Sequence, residues 1–184
     1  MECAENGNPI ENRTYEFSTL SDTIKLSVKK WHDATQLNKP FTAAKNVKIY
    51  AQSFEIPQLH RARKIRVYLP PNYDTTQGRF PVLYMHDGQN VFDESTSYSG
   101  EWQVDETLNK LYDETGFGLI VVAIDHGGDK RLNEYSPWDN KKYGQGEGKR
   151  YVDFLVNTLK PKIDISFRTK LDSENTAIMG SSLG

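Results

Sequence analysis

The sequence predicts an α/β fold, a parallel sheet with helices on its faces, preceded by a short β-rich segment. Two observations carry this. Residues 1–74 hold short alternating apolar patterns and no long helical one, whereas from Arg79 onward apolar runs alternate with helical spacing. Three of those runs, at residues 81–85, 119–124 and 175–179, are continuous rather than alternating, as in strands buried on both faces.

In chain order, strands are expected over residues 13–19, 23–28, 46–54 and 64–69. The alternation is clearest where Ile65, Val67 and Leu69 share one face. Pro70 and Pro71 end that strand, because proline donates no ladder hydrogen bond. The polar stretch 33–40 reads as a linker. Val104, Leu108, Leu111 and Tyr112 recur at helical spacing, with Gly116 and Gly118 as stop signals. Tyr151, Phe154, Leu155 and Leu159 form the stripe of a second helix, with Pro161 near its end. The domain bounds that follow are 1–36 for a β-rich module tail, 37–45 for a linker and 46–184 for the α/β part.

Composition narrows the function classes. Of 184 residues, 23 are Lys or Arg and 25 are Asp or Glu, a net charge of −2 with no footprint for nucleic acid or an anionic membrane surface. The apolar run 119–124 is far short of the roughly 20 residues that span a bilayer. A single cysteine, Cys3, makes no internal disulfide. The start shows no charged region followed by an apolar one, so no signal peptide is visible.

The chemistry concentrates at Gly180-Ser181-Ser182-Leu183-Gly184, a G-x-S-x-G pattern directly after an apolar strand. A serine on a sharp strand-to-helix turn holds a strained backbone, and neighbours two residues away must lack a Cβ that would clash. Ser182 is the candidate nucleophile and Ser181 a bystander. Earlier, His86-Asp87-Gly88-Gln89-Asn90 ends another apolar strand. In an α/β-hydrolase the loop at that point supplies one oxyanion-hole N–H and the residue after the nucleophile supplies the other. The candidates are Gln89 and Leu183, with Gly88 allowing close approach to the substrate. The alternative is a plain strand-ending turn with His86 hydrogen-bonded nearby.

These motifs, together with Arg131-Leu132-Asn133-Glu134-Tyr135-Ser136-Pro137-Trp138, the 144–148 loop, Leu159-Lys160-Pro161 and Phe167-Arg168-Thr169, occur in one order. Over residues 60–184 they resemble the putative-esterase branch of the α/β-hydrolases, which includes enterochelin-esterase-like, feruloyl-esterase-like and esterase-D-like enzymes. The resemblance implies the N-terminal half of an α/β-hydrolase sheet and a serine carboxylesterase mechanism without a cofactor. The expected substrate is a small-molecule or carbohydrate-linked ester. His86, Asp87, Gly88, Arg131, Glu134 and Trp138 would line the substrate cleft. Residues 3–14 and 22–33 resemble the closing strands of a starch-binding-type β-sandwich, in which Trp31 is either a core residue or a sugar-stacking platform.

The triad of this fold runs Ser, Asp or Glu, then His. The histidines here are His32, His60, His86 and His126, all upstream of Ser182, so the triad acid and base are absent. The expectation is therefore an incomplete chain, inactive alone, ending on an exposed apolar edge strand that aggregates. A periplasmic or extracellular location stays open. So do a non-catalytic carbohydrate-associated binding protein and an acyltransferase on the same fold.

Weaker signals are read conservatively. The 144–148 glycine loop opens a helix rather than cradling phosphate, since no strand leads into it and no Lys-Ser/Thr follows. Asp125, His126 and Asp129 lack a second ligand cluster at zinc spacing, so no metal is expected. Arg131 and Glu134 either line a cleft or pair with each other. Asp172 and Glu174 read as solvated turn residues.

Overall fold

The computed structural model describes residues 2–3, 14, 25–28, 30–31, 39–98 and 100–184. Two compact units are present, Met1–Lys39 and Pro40–Gly184. In the first, strand β1 (Glu2–Cys3) pairs antiparallel with β2 (Lys30–Trp31), Glu2 opposite Trp31. Residues 25–28 lie outside any strand and are exposed, contrary to the expectation for 23–28. Alternation fixes a strand register where one face is buried, and these residues bury none. The expectation for 13–19, apart from Thr14, and that for the linker up to residue 38 fall outside the described residues.

The second unit is built on a five-stranded sheet in the order β3-β4-β6-β5-β7. Strands β3 (Val47–Ile56) and β4 (Arg61–Tyr68) form an antiparallel hairpin, and β4 pairs antiparallel with β6 (Ile120–Ile124). Strands β5 (Val82–Met85) and β7 (Thr176–Met179) are parallel to each other, and β5 is parallel to β6. The sheet is thus mixed rather than wholly parallel. Only a 3-10 turn at Pro57–Leu59 and His60 separate β3 from β4, and a parallel pair needs a crossover of a dozen residues or more.

Helices cover both faces. Ile120, Val122 and Ile124 of β6 join Phe154, Leu155, Leu159 and Ile163 in one cluster. Val121 and Ala123, from the same strand, join Met85, Phe92 and Leu108 on the opposite face. This is why β6 reads as a continuous apolar run. Helix α1 (Val104–Thr115) stops where Gly116 turns left-handed, at φ 73°, and its N–H bonds Tyr112 O at 2.7 Å. Helix α2 (Arg131–Tyr135) follows β6. Helix α3 (Gly148–Phe154) runs through a π segment (Leu155–Leu159) into α4 (Lys160–Ser166).

Pro161 therefore sits inside a long helix rather than near its end. Proline lacks an N–H and clashes with the carbonyl four residues back; the wider π turn just before it, with Lys160 N–H bonded to Leu155 O, accommodates both effects. Strand β7 is the expected exposed apolar edge strand, and is not buried on both faces as its continuous apolar run alone would suggest. It forms where the apolar run lies but is mostly exposed, with Ile178 at 57% and Met179 at 54%, because it is the sheet edge and pairs with β5 alone.

Candidate active site

Parallel pairing of β5 with β7 sets Met85 opposite Met179, so both strands end at one level. His86 N–H bonds Met179 O at 3.0 Å as the last rung. The turn after β5 and the turn after β7 therefore leave the sheet side by side, at the carboxyl edge where α/β sheets bind ligands.

The second turn carries Ser182. Its φ is 62°, a left-handed conformation that costs a non-glycine residue about 1–2 kcal/mol. The turn closes through Gly184 N–H to Ser181 O at 3.1 Å. Gly180 and Gly184 lie against each other: a Cβ on Gly180 would overlap the Gly184 carbonyl. A Cβ on Gly184 would come within 3.1 Å of His86 Cβ and of Tyr135 Cε2. Space thus requires a glycine at 180, inside the turn, and leaves only a tight fit for a side chain at 184, against the neighbouring turn. Ser182 is exposed, and among the described residues no hydrogen bond reaches its hydroxyl.

The first turn begins with Asp87, buried and itself left-handed at φ 54°, followed by a 3-10 turn at Gly88–Asn90. Asn90 N–H bonds Asp87 O and Val91 N–H bonds Gly88 O, so the N–H groups of Gly88 and Gln89 are the ones the turn leaves unused. Gln89 is anchored at both ends. Its carbonyl accepts Thr96 Oγ1–H at 2.7 Å, and its Oε1 accepts His126 N–H at 3.3 Å. Gly88 has a reason of its own in the fold. A Cβ there would stand 2.8 Å from the Ala123 carbonyl carbon and from Ile124 N, so the backbone of β6 already requires a glycine here.

His86 is not a hydrogen-bonded turn residue. Its ring stacks on Tyr135 at 4.8 Å between centroids and meets Tyr151 edge-on at 5.5 Å. Both ring nitrogens are buried without a partner among the described residues. Burial holds its pKa below the ordinary histidine value, which keeps the ring neutral near pH 7. It supports the elbow from beneath Gly184.

Arg131 and Glu134 do not pair with each other. Arg131 grips Asp87 with a two-pronged contact, Nε to Oδ1 at 2.6 Å and Nη2 to Oδ2 at 2.7 Å, and Nη2 also reaches Ser181 O at 3.3 Å. The Asp87 carboxylate holds the Arg131 pKa above its ordinary value. Glu134 is fully buried and turns the other way, to Arg61 Nη1 at 2.8 Å and to Arg63 Nη2. Arg61 also pairs with Glu147, whose pKa it lowers, and Glu147 accepts from Arg150 at 2.8 Å. A buried carboxylate has to be neutralised, and two guanidiniums from β4 do so. Glu134 therefore lines no cleft. The pairing signal was in the sequence, since Arg61 and Arg63 alternate onto one face of a strand.

Trp138 is 77% exposed and shares a cavity of about 210 Å³ with Leu132, Asn133, Tyr143 and Leu183. The loop presenting it is tied internally: Asn133 Nδ2 donates to Tyr143 O at 2.7 Å and to Gln145 O at 2.8 Å. A larger apolar trough of about 560 Å³ lies on the α1 side, lined by Leu83, Met85, Trp102, Leu108 and Met179 and reaching Ser181. That trough and the Tyr135–Tyr151 support were not anticipated, although Arg131 and Tyr135 sit one helical turn apart in α2.

Asp125 Oδ1 is held by Arg66 Nε of β4 at 3.1 Å, and His126 Nδ1 by Gly128 N–H of its own loop at 2.8 Å. Among the described residues no group of three or more His, Cys, Asp or Glu side chains is arranged to hold a metal. Nor is any described helix long and apolar enough to cross a membrane. Asp172 caps its turn by accepting Asn175 N–H at 3.0 Å.

The mixed sheet with helices on both faces is an α/β fold of the α/β-hydrolase kind. The chain belongs to the putative esterase family, whose model matches residues 56–184. It is 27% identical over 134 residues to the uncharacterized protein YbbA of Bacillus subtilis (strain 168), covering 68% of this chain and 49% of that protein. The chain thus spans about half the length of the curated relative it matches. In fold it is similar to the BES protein from Bacillus cereus, with a TM-score of 0.59 and 19% identity over 82% of this chain and 56% of that one. It is also similar to the enterobactin esterase FES from Shigella flexneri, with a TM-score of 0.58 and 15% identity over 77% and 32%.

Proposed function

We propose that the protein is a serine carboxylesterase acting on small-molecule esters, with Ser182 as nucleophile and the N–H groups of Gln89 and Leu183 as oxyanion-hole donors. One observation carries the reading: Ser182 at φ 62° tops a turn closed so tightly that position 180 admits only glycine, beside a turn with unused N–H groups. Membership in the putative esterase family and the likeness in fold to an enterobactin esterase support it. Ser182 Oγ attacks the ester carbonyl as a base takes its proton, and negative charge gathers on the carbonyl oxygen. Collapse expels the alcohol, which receives the proton, and leaves an acyl-serine that water hydrolyses to the acid and free serine. The acid and base follow the nucleophile in chain order in this fold, so none of the four histidines, all before Ser182, is assigned the base. Trp138, Tyr143 and Leu183 offer one wall for the substrate.

The test is fluorophosphonate labelling of the full-length protein followed by peptide mapping. The adduct is expected on Ser182 and is lost in Ser182→Ala. Labelling at another residue overturns the assignment.

A further inference from the structure

Three segments converge at the carboxyl edge of the sheet: the turn after β5, the turn after β7, and α2 after β6. Arg131, first residue of α2, returns its guanidinium into the gap between the two turns. Nε and Nη2 fork onto the buried Asp87 carboxylate at 2.6 and 2.7 Å, and Nη2 also donates to Ser181 O at 3.3 Å. Its carbon lies 5.0 Å from the centroid of the Tyr135 ring, which stacks on His86. Edge and face of the group are therefore both engaged, and little freedom is left to it.

The residues that Arg131 touches are informative. Asp87 is left-handed and immediately precedes Gly88 and Gln89; Ser181 immediately precedes Ser182, also left-handed. Both turns depart from relaxed backbone, and a strained conformation persists only where its surroundings over-determine it. One planar fork spans the two. Lysine could not reproduce this, because its three donors sit on one compact ammonium at the end of a flexible stem and form no planar fork to match the carboxylate.

We infer that Arg131 is a positioning residue that fixes the separation between the Gln89 turn and the Ser182 elbow, and so assembles the oxyanion hole. This rests on the esterase reading above. Misplacement by about 1 Å costs on the order of 10² in rate, and loss of one oxyanion donor costs 10²–10³. Arg131 touches no reacting atom in this scheme. It acts through Asp87 and Ser181.

The experiment uses the full-length protein with p-nitrophenyl butyrate as substrate and a fluorophosphonate as active-site probe, comparing wild type, Arg131→Lys and Asp87→Asn. Rates are normalised to the folded fraction measured by circular dichroism. In Arg131→Lys, kcat is expected to fall about 10- to 100-fold with KM within about threefold, the signature of an interaction felt in the transition state. The phosphonylation rate falls by a similar factor, because the phosphoryl oxygen uses the same hole. Asp87→Asn keeps the side-chain shape and shifts both quantities in the same direction; it decides the matter if the lysine variant folds poorly. Unchanged normalised kcat in the folded variants overturns the inference, as does a rise in KM at constant kcat, which would make Arg131 a substrate-binding group. If wild type is not labelled at Ser182, the esterase reading itself fails. If wild type is labelled there and the variants react as fast, only the inference fails.

Discussion

Gly180 lies so close to Gly184 that it has no room for a side chain: a Cβ on Gly180 would overlap the Gly184 carbonyl, whereas one on Gly184 would fit tightly against His86 and Tyr135. Gly180→Ala is expected to open the turn. Overpacking of this kind costs about 1–3 kcal/mol. Fluorophosphonate labelling of Ser182 should drop at least tenfold, and thermal melting of the same sample should show the loss of stability. An alanine variant that is labelled at the wild-type rate would mean the turn tolerates a side chain.

Ser182 holds a backbone conformation that favours glycine. Ser182→Gly should therefore stabilise the Pro40–Gly184 unit by up to about 1 kcal/mol while removing the labelled hydroxyl, a gain in stability coupled to a loss of function. Urea denaturation of the two proteins measures it, and a lower midpoint for the glycine variant contradicts it.

Glu134 is a buried carboxylate facing Arg61 and Arg63. Glu134→Gln keeps the volume and removes the charge that neutralises them. The expected cost is about 3 kcal/mol, since breaking a buried pair strands Arg63, whereas Arg61 keeps Glu147. A denaturation midpoint within experimental error of wild type would refute the pairing.

Asp105 is wholly buried at the start of α1, where its Oδ2 accepts Ala44 N–H at 2.7 Å and its Oδ1 has no partner among the described residues. Burial, aided by neighbouring Glu106, pushes its pKa up to about 7. In the unfolded chain an aspartate titrates near about 3.9. Between these values the unfolded state loses a proton that the folded state keeps, so its contribution is full below about pH 4 and fades as pH rises towards 7. Asp105→Asn should flatten that part of the stability profile, measured by denaturation at several pH values. An unchanged slope would count against a protonated Asp105.

Trp138 stands exposed over the small cavity that reaches Leu183. Trp138→Ala should leave the melting temperature almost unchanged, since exposed positions usually contribute within about 0.5 kcal/mol. KM for an aryl ester should rise several-fold in the full-length protein. A KM equal to wild type removes Trp138 from the substrate wall.

How much of this was legible beforehand follows from the range of the forces involved. The β6 run, the stop of α1 at Gly116 and the serine on the turn after β7 are set by periodicity and turn chemistry acting within a few residues. The π segment before Pro161 was not legible. Periodicity marks an apolar stripe, and a single widened turn leaves the stripe intact.

The sequence by itself determined that an apolar strand runs into Gly180 to Gly184, and that a glycine must stand at position 180, because backbone sterics in a tight turn are local. Tertiary structure alone decided the partners. Arg131 meets Asp87, 44 residues away, rather than Glu134, three residues away. Gly88 lies against the β6 backbone, where a Cβ would not fit. Each outcome depends on strand order, which places β5 between β6 and β7 and so decides which distant side chains face one another.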